Sequence, residues 1–457
     1  MINRPARWLD RRLGIAGFAR RGLDHIFPDH WSFMLGEIAM ASFAVLVMTG
    51  VYLAMFFNSS SAEVTYHGPY KALDGVKMSA AYASTLNLSF SVPAGLLIRQ
   101  IHHWAALVFI GAVLAHLFRV FFTAAYRSPR EINWVIGVTL LVLAMAAGFV
   151  GYSLPDDLLS GTGLRIAYSI VLSIPIVGPR LAFVIFGGPV PSADMIPRMY
   201  GLHVFVLPGL IVLLLGAHLA IVWRQTHTNY PGPGRSNRRI VGSRLWPTYS
   251  MKILGLFCLV FAALAALGGL VQANPIWIYG PYDPAAALPG AQPDWYLGWA
   301  EGALRLFPAF NLRIGHYLIP EVFFPGILFP LLLFGGLYLY PFVEPWFTHD
   351  CDEHHILSLP YEQPKRTALA SAGIMMLLVL LLAGSGDVLA VLTHGSVITI
   401  RTLFQILFFA APVLTAAVVY WLCRRVQRRR SREHARAAAG SVPSDGRGGI
   451  KEPSAAS

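Results

Sequence analysis

The chain has 457 residues, of which 56% are hydrophobic and only 13% charged, and its mean hydropathy is +0.57. That balance argues against a soluble enzyme and for a chain that crosses a membrane several times. The net charge of +12 sits in arginine clusters that abut apolar runs; this argues against nucleic-acid binding and marks loops kept on the cytoplasmic side.

In chain order, six arginines precede Trp31, where the first apolar run starts. That run is long enough to span, so no cleavable signal peptide is expected. Spanning helices are expected at about 32–57, 92–122, 133–152, 199–224, 250–271, 320–340, 367–384 and 400–423. The expected fold is an all-α polytopic membrane protein. Residues 1–31 form a cytoplasmic segment, and 32–249 form a four-helix bundle. Residues 250–426 form a second four-helix membrane region that includes the loop 273–319. Residues 427–457 are rich in Arg, Ala, Ser and Gly and are expected to be a disordered cytoplasmic tail.

With the N-terminus inside, the basic loops after the second and fourth spans also fall inside. They are followed on that side by the tail that begins at Arg424 and Arg425. The loop 58–93, with only Lys71 and Lys77 as basic residues, falls outside. So does 154–198, where Pro155, Pro175, Pro179, Pro189, Pro191 and Pro197 break an apolar stretch into expected surface helices.

The second span carries His102 and His116, 14 positions apart, and the fourth carries His203 and His218, 15 apart. An ionisable side chain at membrane depth is costly and therefore points to function. At about 1.5 Å rise per residue, each pair is separated by roughly 21–22 Å and returns to nearly the same helix face. Two such helices side by side give one facing histidine pair near each surface, the layout of two stacked bis-histidine haems. Hydrogen-bonded core histidines along a proton path are the plainer alternative. Gly36 and Gly50 in the first span, and Gly137 and Gly151 in the third, repeat the 14-residue spacing. They are expected to give a flat ring close approach to the backbone, although small residues also serve ordinary helix packing. Cys258, Cys351 and Cys423 form no Cys-x-x-Cys-His motif, so any haem is held non-covalently and no iron–sulfur cluster is expected in this chain.

Further motifs fall around these positions. Arg99 precedes His102 by three and Arg119 follows His116 by three; Arg198 precedes His203 by five and Pro208 follows it by five. Gly151-Tyr152-Ser153-Leu154-Pro155 closes the third span, Ser173-Ile174-Pro175 follows, and Pro293-Asp294-Trp295-Tyr296 lies in the loop before the sixth. In order and spacing these resemble cytochrome b, the membrane subunit of quinol:cytochrome c reductase, up to about Tyr340 and more loosely over the last two spans. The 15-residue separation resembles the chloroplast and Gram-positive branches, and an aspartate in the family's Pro-Glu-Trp-Tyr motif, with the overall sequence, resembles the high-GC Gram-positive bacterial branch, which implies menaquinol as substrate.

The resemblance implies that His102 with His203, and His116 with His218, are axial ligands of two b haems. Arg99, Arg119 and Arg198 would meet the propionates, for which guanidinium is suited; snorkelling to the interface is the alternative. His103 lies about 100° round the helix from His102 and is expected to point elsewhere. Asp294 is placed at an outer quinol-oxidation site with Tyr296, Tyr152 and the Gly161–Gly163 region, either as proton acceptor or as a helix N-cap. The mitochondrial inner-site histidine and aspartate are replaced by Trp223 and Ile253. Glu37 is therefore the candidate inner proton donor, with Lys252 and His227 next. The run from His349 to His355 lacks standard zinc spacing and is expected to be a solvated loop.

The implied reaction is a bifurcated quinol oxidation. One electron goes to a Rieske iron–sulfur subunit, and the other crosses the chain through both haems to a quinone near the inside. A cytochrome c subunit, a homodimeric complex in the cell membrane and a terminal oxidase are the implied partners. Two other classes stand beside this one. A di-haem anchor or reductase of another redox complex would lack the Pro-Asp-Trp-Tyr loop. A haem-free proton-coupled transporter would show broken helices or inverted repeats.

Overall fold

The structure is a computed structural model. It describes residues 22–286, 288 and 291–440, together with Trp8, Arg11, Arg12, Gly14 and Gly17. Among the described residues, eight helices are long and apolar enough to cross a membrane: α1 (Trp31–Ala54), α3 (Gly95–Phe122), α4 (Glu131–Ser153), α7 (Met195–Gln225), α8 (Leu245–Leu270), α11 (Phe324–Thr348), α12 (Pro364–Gly384) and α14 (Val397–Gly440). Between them lie α2 (Ala80–Phe90), α5 (Leu158–Leu172), α6 (Gly178–Phe186), α9 (Ile276–Tyr279), α10 (Gly298–Leu306) and α13 (Gly386–Thr393). The eight expected spans are all present; most differ by a few residues at their ends, whereas α11 runs eight residues and α14 17 residues past the expected end.

The first four spans form the bundle that positions the site. Helix α1 packs on α3, α4 packs on α7, and α3 contacts α4. Ala39, Phe109, Ile110, Ala112, Val138, Leu141 and Ala144 fill one side of its interior, and Tyr296 reaches in from the loop after α8. Helix α8 closes against α1 and α3, where Ala41, Val45, Ile101, Ala105, Val260 and Leu264 are buried. Helices α10, α12 and α14 make a second packed group. The outward faces of all these helices are apolar and exposed, as a lipid-facing surface requires.

Two-stranded pairs brace the loops. β1 (Ile26–Pro28) pairs antiparallel with β4 (Gly242–Arg244), tying the entries of α1 and α8 together. β2 (Glu63–Thr65) and β3 (Lys77–Ser79) form a hairpin ahead of α2, and β5 (Leu312–Ile314) with β6 (Tyr317–Ile319) forms another before α11. The proline-broken stretch after α4 forms α5 and α6, as its interrupted apolarity suggests.

One expectation is overturned. Residues 427–440, expected to be disordered, continue α14 as helix. Arginine and alanine are strong helix formers, and Arg429 bridges Glu433 one turn on at 2.9 Å. The remainder of the expected tail, 441–457, lies outside the described residues.

Candidate functional site

Helices α3 and α7 face each other and bring the four histidines together as two pairs. The ring centroids of His102 and His203 are 6.1 Å apart, and those of His116 and His218 are 6.5 Å apart. Two imidazoles bonded at about 2 Å to opposite faces of one metal put their centroids roughly 6 Å apart. Around His203 the chain loosens into a π-turn over Leu202–Val206. Pro208, just beyond it, has no N–H to offer the turn before.

The hydrogen bonds around the first pair set its chemistry. Thr49 donates its hydroxyl to the Val45 carbonyl at 2.7 Å, leaving its oxygen to accept from His102 Nδ1 at 2.8 Å. His203 Nδ1 donates to the Ala147 carbonyl at 2.9 Å. Both rings thus carry their proton on Nδ1, which leaves the Nε2 lone pair free to bind a metal.

The paired glycines serve these rings more closely than expected. An imidazole edge faces each of them, and at Gly151 alone it overlaps the place a Cβ would take. A Cβ at Gly50 would lie 3.2 Å from His102 Cε1, and one at Gly36 would lie 3.3 Å from His116. At Gly137 it would lie 3.7 Å from His218, whereas at Gly151 it would collide with the His203 ring.

The residues fit a haem at each pair. Arg119 lines the cavity beside His116, with its guanidinium carbon 4.6 Å from the Phe33 ring centroid and its Nε buried without a hydrogen-bond partner among the described residues. Such a cation calls for an anion, and a propionate supplies one. Arg99 gives its terminal nitrogens to the Asn274 carbonyl at 3.3 and 3.4 Å, and its Nε is likewise buried without a partner among the described residues. Arg198 behaves differently. It donates to the Val184 carbonyl at 2.6 Å and lies 3.9 Å from Asp194, so its guanidinium holds the surface helices.

At the His102–His203 end, the loop after α8 places the Pro-Asp-Trp-Tyr motif against α3 and α4. Asp294 precedes a short helical turn but makes no side-chain cap; its Oδ1 lies 3.2 Å from His103 Nε2. His103 therefore points at Asp294, a partnership that the spacing along the chain does not reveal. Tyr296 is 3% exposed, and its Oη would be 2.5 Å from a Cβ at Gly148. Burial and the neighbouring Asp294 push its phenol well above the usual range. Tyr152 lies within electrostatic reach of both Asp294 and Tyr296. Gly163 lies against the Tyr152 ring, and Gly161 against Tyr282. The expected oxidation-site residues are thus brought together.

At the other end a cavity of about 240 Å³ joins His116 and His218 to Glu37, His227 and Tyr249. Glu37 accepts a hydrogen bond from Tyr249 through one oxygen, and its other oxygen is buried without a partner among the described residues. Burial lowers the pKa of His227 to about 4. An aromatic stack of His25 on Trp223 (4.5 Å) and Phe27 on Tyr249 (4.4 Å) closes this end. Lys252 does not reach the cavity; it donates to Asp29 at 2.6 Å. Tyr249 and His25 carry no spacing signal in the chain, because only the β1–β4 pairing brings them here. The His349–His355 loop is bolted to the start of α4: Arg127 and His354 bind Asp350 at 3.3 and 2.9 Å, and Arg130 donates to the His354 carbonyl at 2.7 Å.

An all-helical membrane bundle holding two stacked histidine pairs defines, as a class, an electron carrier of the cytochrome b kind. A family model described as cytochrome b(N-terminal)/b6/petB matches residues 107–281. The cytochrome bc1 complex cytochrome b subunit of Streptomyces coelicolor is 48% identical over 427 residues, spanning 93% of this chain and 78% of the relative. Those of Mycobacterium leprae (94% and 78%) and Corynebacterium diphtheriae (92% and 78%) are each 46% identical. A chain of a hyperthermophilic respiratory Complex III shares the fold, with a TM-score of 0.66 at 20% identity over 91% of this chain and 98% of that one. The chain belongs to the cytochrome b subunits of cytochrome bc1 complexes, the membrane part of a quinol:cytochrome c oxidoreductase, and the family's haem b is its cofactor.

Proposed function

We propose that the chain holds two b haems, one between His102 and His203 and one between His116 and His218, and uses them to join two quinone sites across the membrane. The observation that carries this is the pair of centroid distances, 6.1 and 6.5 Å, repeated at two levels of one bundle. Bound there, haem supplies one-electron exchange. The protein sets its spacing: 14 residues of helix place the two levels about 21 Å apart.

The residues at each end handle protons. Asp294 accepts a proton from quinol, oriented by His103 and walled by Tyr296 and Tyr152, the Trp295 ring lying against α3 at Gly111. At the other end Glu37, held by Tyr249, delivers a proton to the quinone being reduced, with His227 next to it in the same cavity. Arg99 and Arg119 meet propionates. The chain lies in the cell membrane with the Glu37 end and both termini in the cytoplasm and the Asp294 end outside, an orientation that the arginine-rich loops support. The substrate is menaquinol. The partners are a Rieske iron–sulfur subunit and a cytochrome c subunit, in a homodimeric complex that hands electrons on to a terminal oxidase.

The test is a haem-to-protein ratio by pyridine haemochrome on the purified complex, with a menaquinol-driven reduction spectrum. Two b haems per chain, reduced by menaquinol, is the expected result. A chain without haem would overturn the proposal and favour a proton-coupled transporter.

A further inference from the structure

The segment that carries Asp294 is held on both sides by helices of the second packed group. Downstream, the chain runs through Tyr296 directly into α10, which lies on α12 along a seam of glycines. A Cβ at Gly302 would collide with the Leu380 carbonyl, and one at Gly384 would lie 2.5 Å from the Gly298 carbonyl oxygen. Upstream, Gln292 reaches the corner between α12 and α13. Its Nε2 donates to Asp387 Oδ1 at 3.0 Å, and its Oε1 accepts the Ser385 hydroxyl at 3.1 Å. Among the described residues between Pro284 and Asp294, Gln292 alone hydrogen-bonds to another element.

Asp387 is itself gripped by a cation. Arg305, near the end of α10, puts Nη1 3.1 Å from Asp387 Oδ1 and donates Nη2 to Oδ2 at 3.3 Å, while its Nε donates to Glu301 at 2.9 Å. A guanidinium that meets both oxygens of a carboxylate fixes direction as well as distance. Holding α10 on α12 needs only the Arg305 bridge and the glycine seam. It does not account for the Gln292 amide, which is pinned at both ends. One proline separates that amide from Asp294. Pro293 locks φ near −65°, roughly, and two residues of chain span about 7 Å at most. A shift of Gln292 is therefore passed on to Asp294, whose carboxylate makes no cap of its own and lies 3.2 Å from His103 Nε2.

We propose that Asp387, braced by Arg305, is a positioning residue for quinol oxidation: through Gln292 it sets where Asp294 stands against His103. This rests on the quinol site proposed above. Arg305 orients the Asp387 carboxylate, Asp387 orients the Gln292 amide, and Ser385 closes the far side of that amide. Asp387 acts through Gln292 and does not itself meet the substrate. A proton acceptor works only within hydrogen-bond reach of the proton it takes, and a misplacement of about 1 Å can cost on the order of 100-fold in rate. The α12–α13 corner thus serves the oxidation half-reaction, although it lies in the group of helices that carries none of the four paired histidines.

The test uses the purified complex with Gln292→Ala, Asp387→Ala, the two combined, and Asp387→Asn. Haem content, kcat and KM of quinol oxidation, and reoxidation of the b haems by quinone are compared. Both alanine variants should keep their haem and its reoxidation rate. Each should lower kcat about 10-fold with KM little changed, because the contact places the proton acceptor rather than binding the substrate. The combined variant should be no slower than Asp387→Ala, since both changes remove one contact. Asp387→Asn, whose amide oxygen can still accept from Gln292, should recover part of the lost rate. A purely structural role would slow both half-reactions alike, lower haem content or make the two losses multiply, and any of these overturns the proposal. So does an unchanged kcat in Gln292→Ala, and that uncharged variant decides alone if Asp387→Ala fails to assemble. An Asp294→Asn complex that oxidises quinol at the unsubstituted rate would instead sink the quinol-site reading beneath it.

Discussion

The two histidine pairs are built from the same parts but held differently. At the Asp294 end both imidazoles are fixed through Nδ1, by Thr49 and by the Ala147 carbonyl, and Gly151 is pressed against its ring. At the Glu37 end His116 Nδ1 is buried without a partner among the described residues, and the glycines stand further off. The cavity there opens towards Glu37, Tyr249 and His227. One end is a tight clamp with its carboxylate, Asp294, in a separate loop. The other is a wider chamber that shares its walls with a carboxylate. Pinned imidazoles favour a fixed ligand geometry, whereas the chamber brings the second histidine pair into one cavity with a carboxylate. The contrast matches a site where electrons enter at one end and a substrate is reduced at the other.

The hardest test of the contrast is removal of a ligand at each end. His203→Ala should lose the haem of the clamped end and stop quinol oxidation, a fall of about 100-fold or more. His218→Ala should leave quinol-driven reduction of the remaining haem intact. Haemochrome content and reduction kinetics report both, and retention of two haems in His203→Ala would sink the ligand assignment.

Next is the carboxylate of the chamber. Glu37→Gln should keep both haems and their reduction by quinol, but slow reoxidation by quinone about 100-fold; stopped-flow oxidation of the b haems checks this. Equal slowing of both half-reactions would argue that Glu37 serves the bundle rather than the chamber.

The glycines give a sharper pair. Gly151→Ala forces a methyl into the His203 ring and should cost about 1–3 kcal/mol with partial haem loss. Gly137→Ala meets His218 at ordinary contact distance, 3.7 Å, and should be nearly silent. Thermal unfolding with haem absorbance separates them, and equal effects would erase the difference between the ends.

The smallest expected effect is at Thr49. Thr49→Val removes the acceptor from His102 Nδ1, making the imidazole a weaker donor to iron. It should loosen that haem about 10-fold and raise only its reduction potential. A redox titration in which the other haem moves instead would contradict the assigned proton positions.

Much of this is legible in the chain. The eight spans, the face shared by His102 and His116, and the match of histidine pairs follow from apolar length and helical period, which are local properties. The tail departs from expectation over 427–440 because low apolarity does not by itself mean absence of order; arginine and alanine sustain a helix without a core to pack on. Arg198 illustrates the reverse. Its position matches the family pattern, but the fold of α6 spends its guanidinium on backbone carbonyls. Lys252 is likewise drawn to Asp29 by the β1–β4 pairing.

The sequence by itself determined the membrane class, the helix count, the four histidines and the family, because periodicity and motif order are carried along one dimension. Only the tertiary structure decided which groups meet. His103 finds Asp294 across 191 residues and Tyr249 finds Glu37 across 212. Gln292 finds Asp387 across 95. Those encounters arise from loops folding over bundle ends, where no helical or strand repeat links one partner to the other.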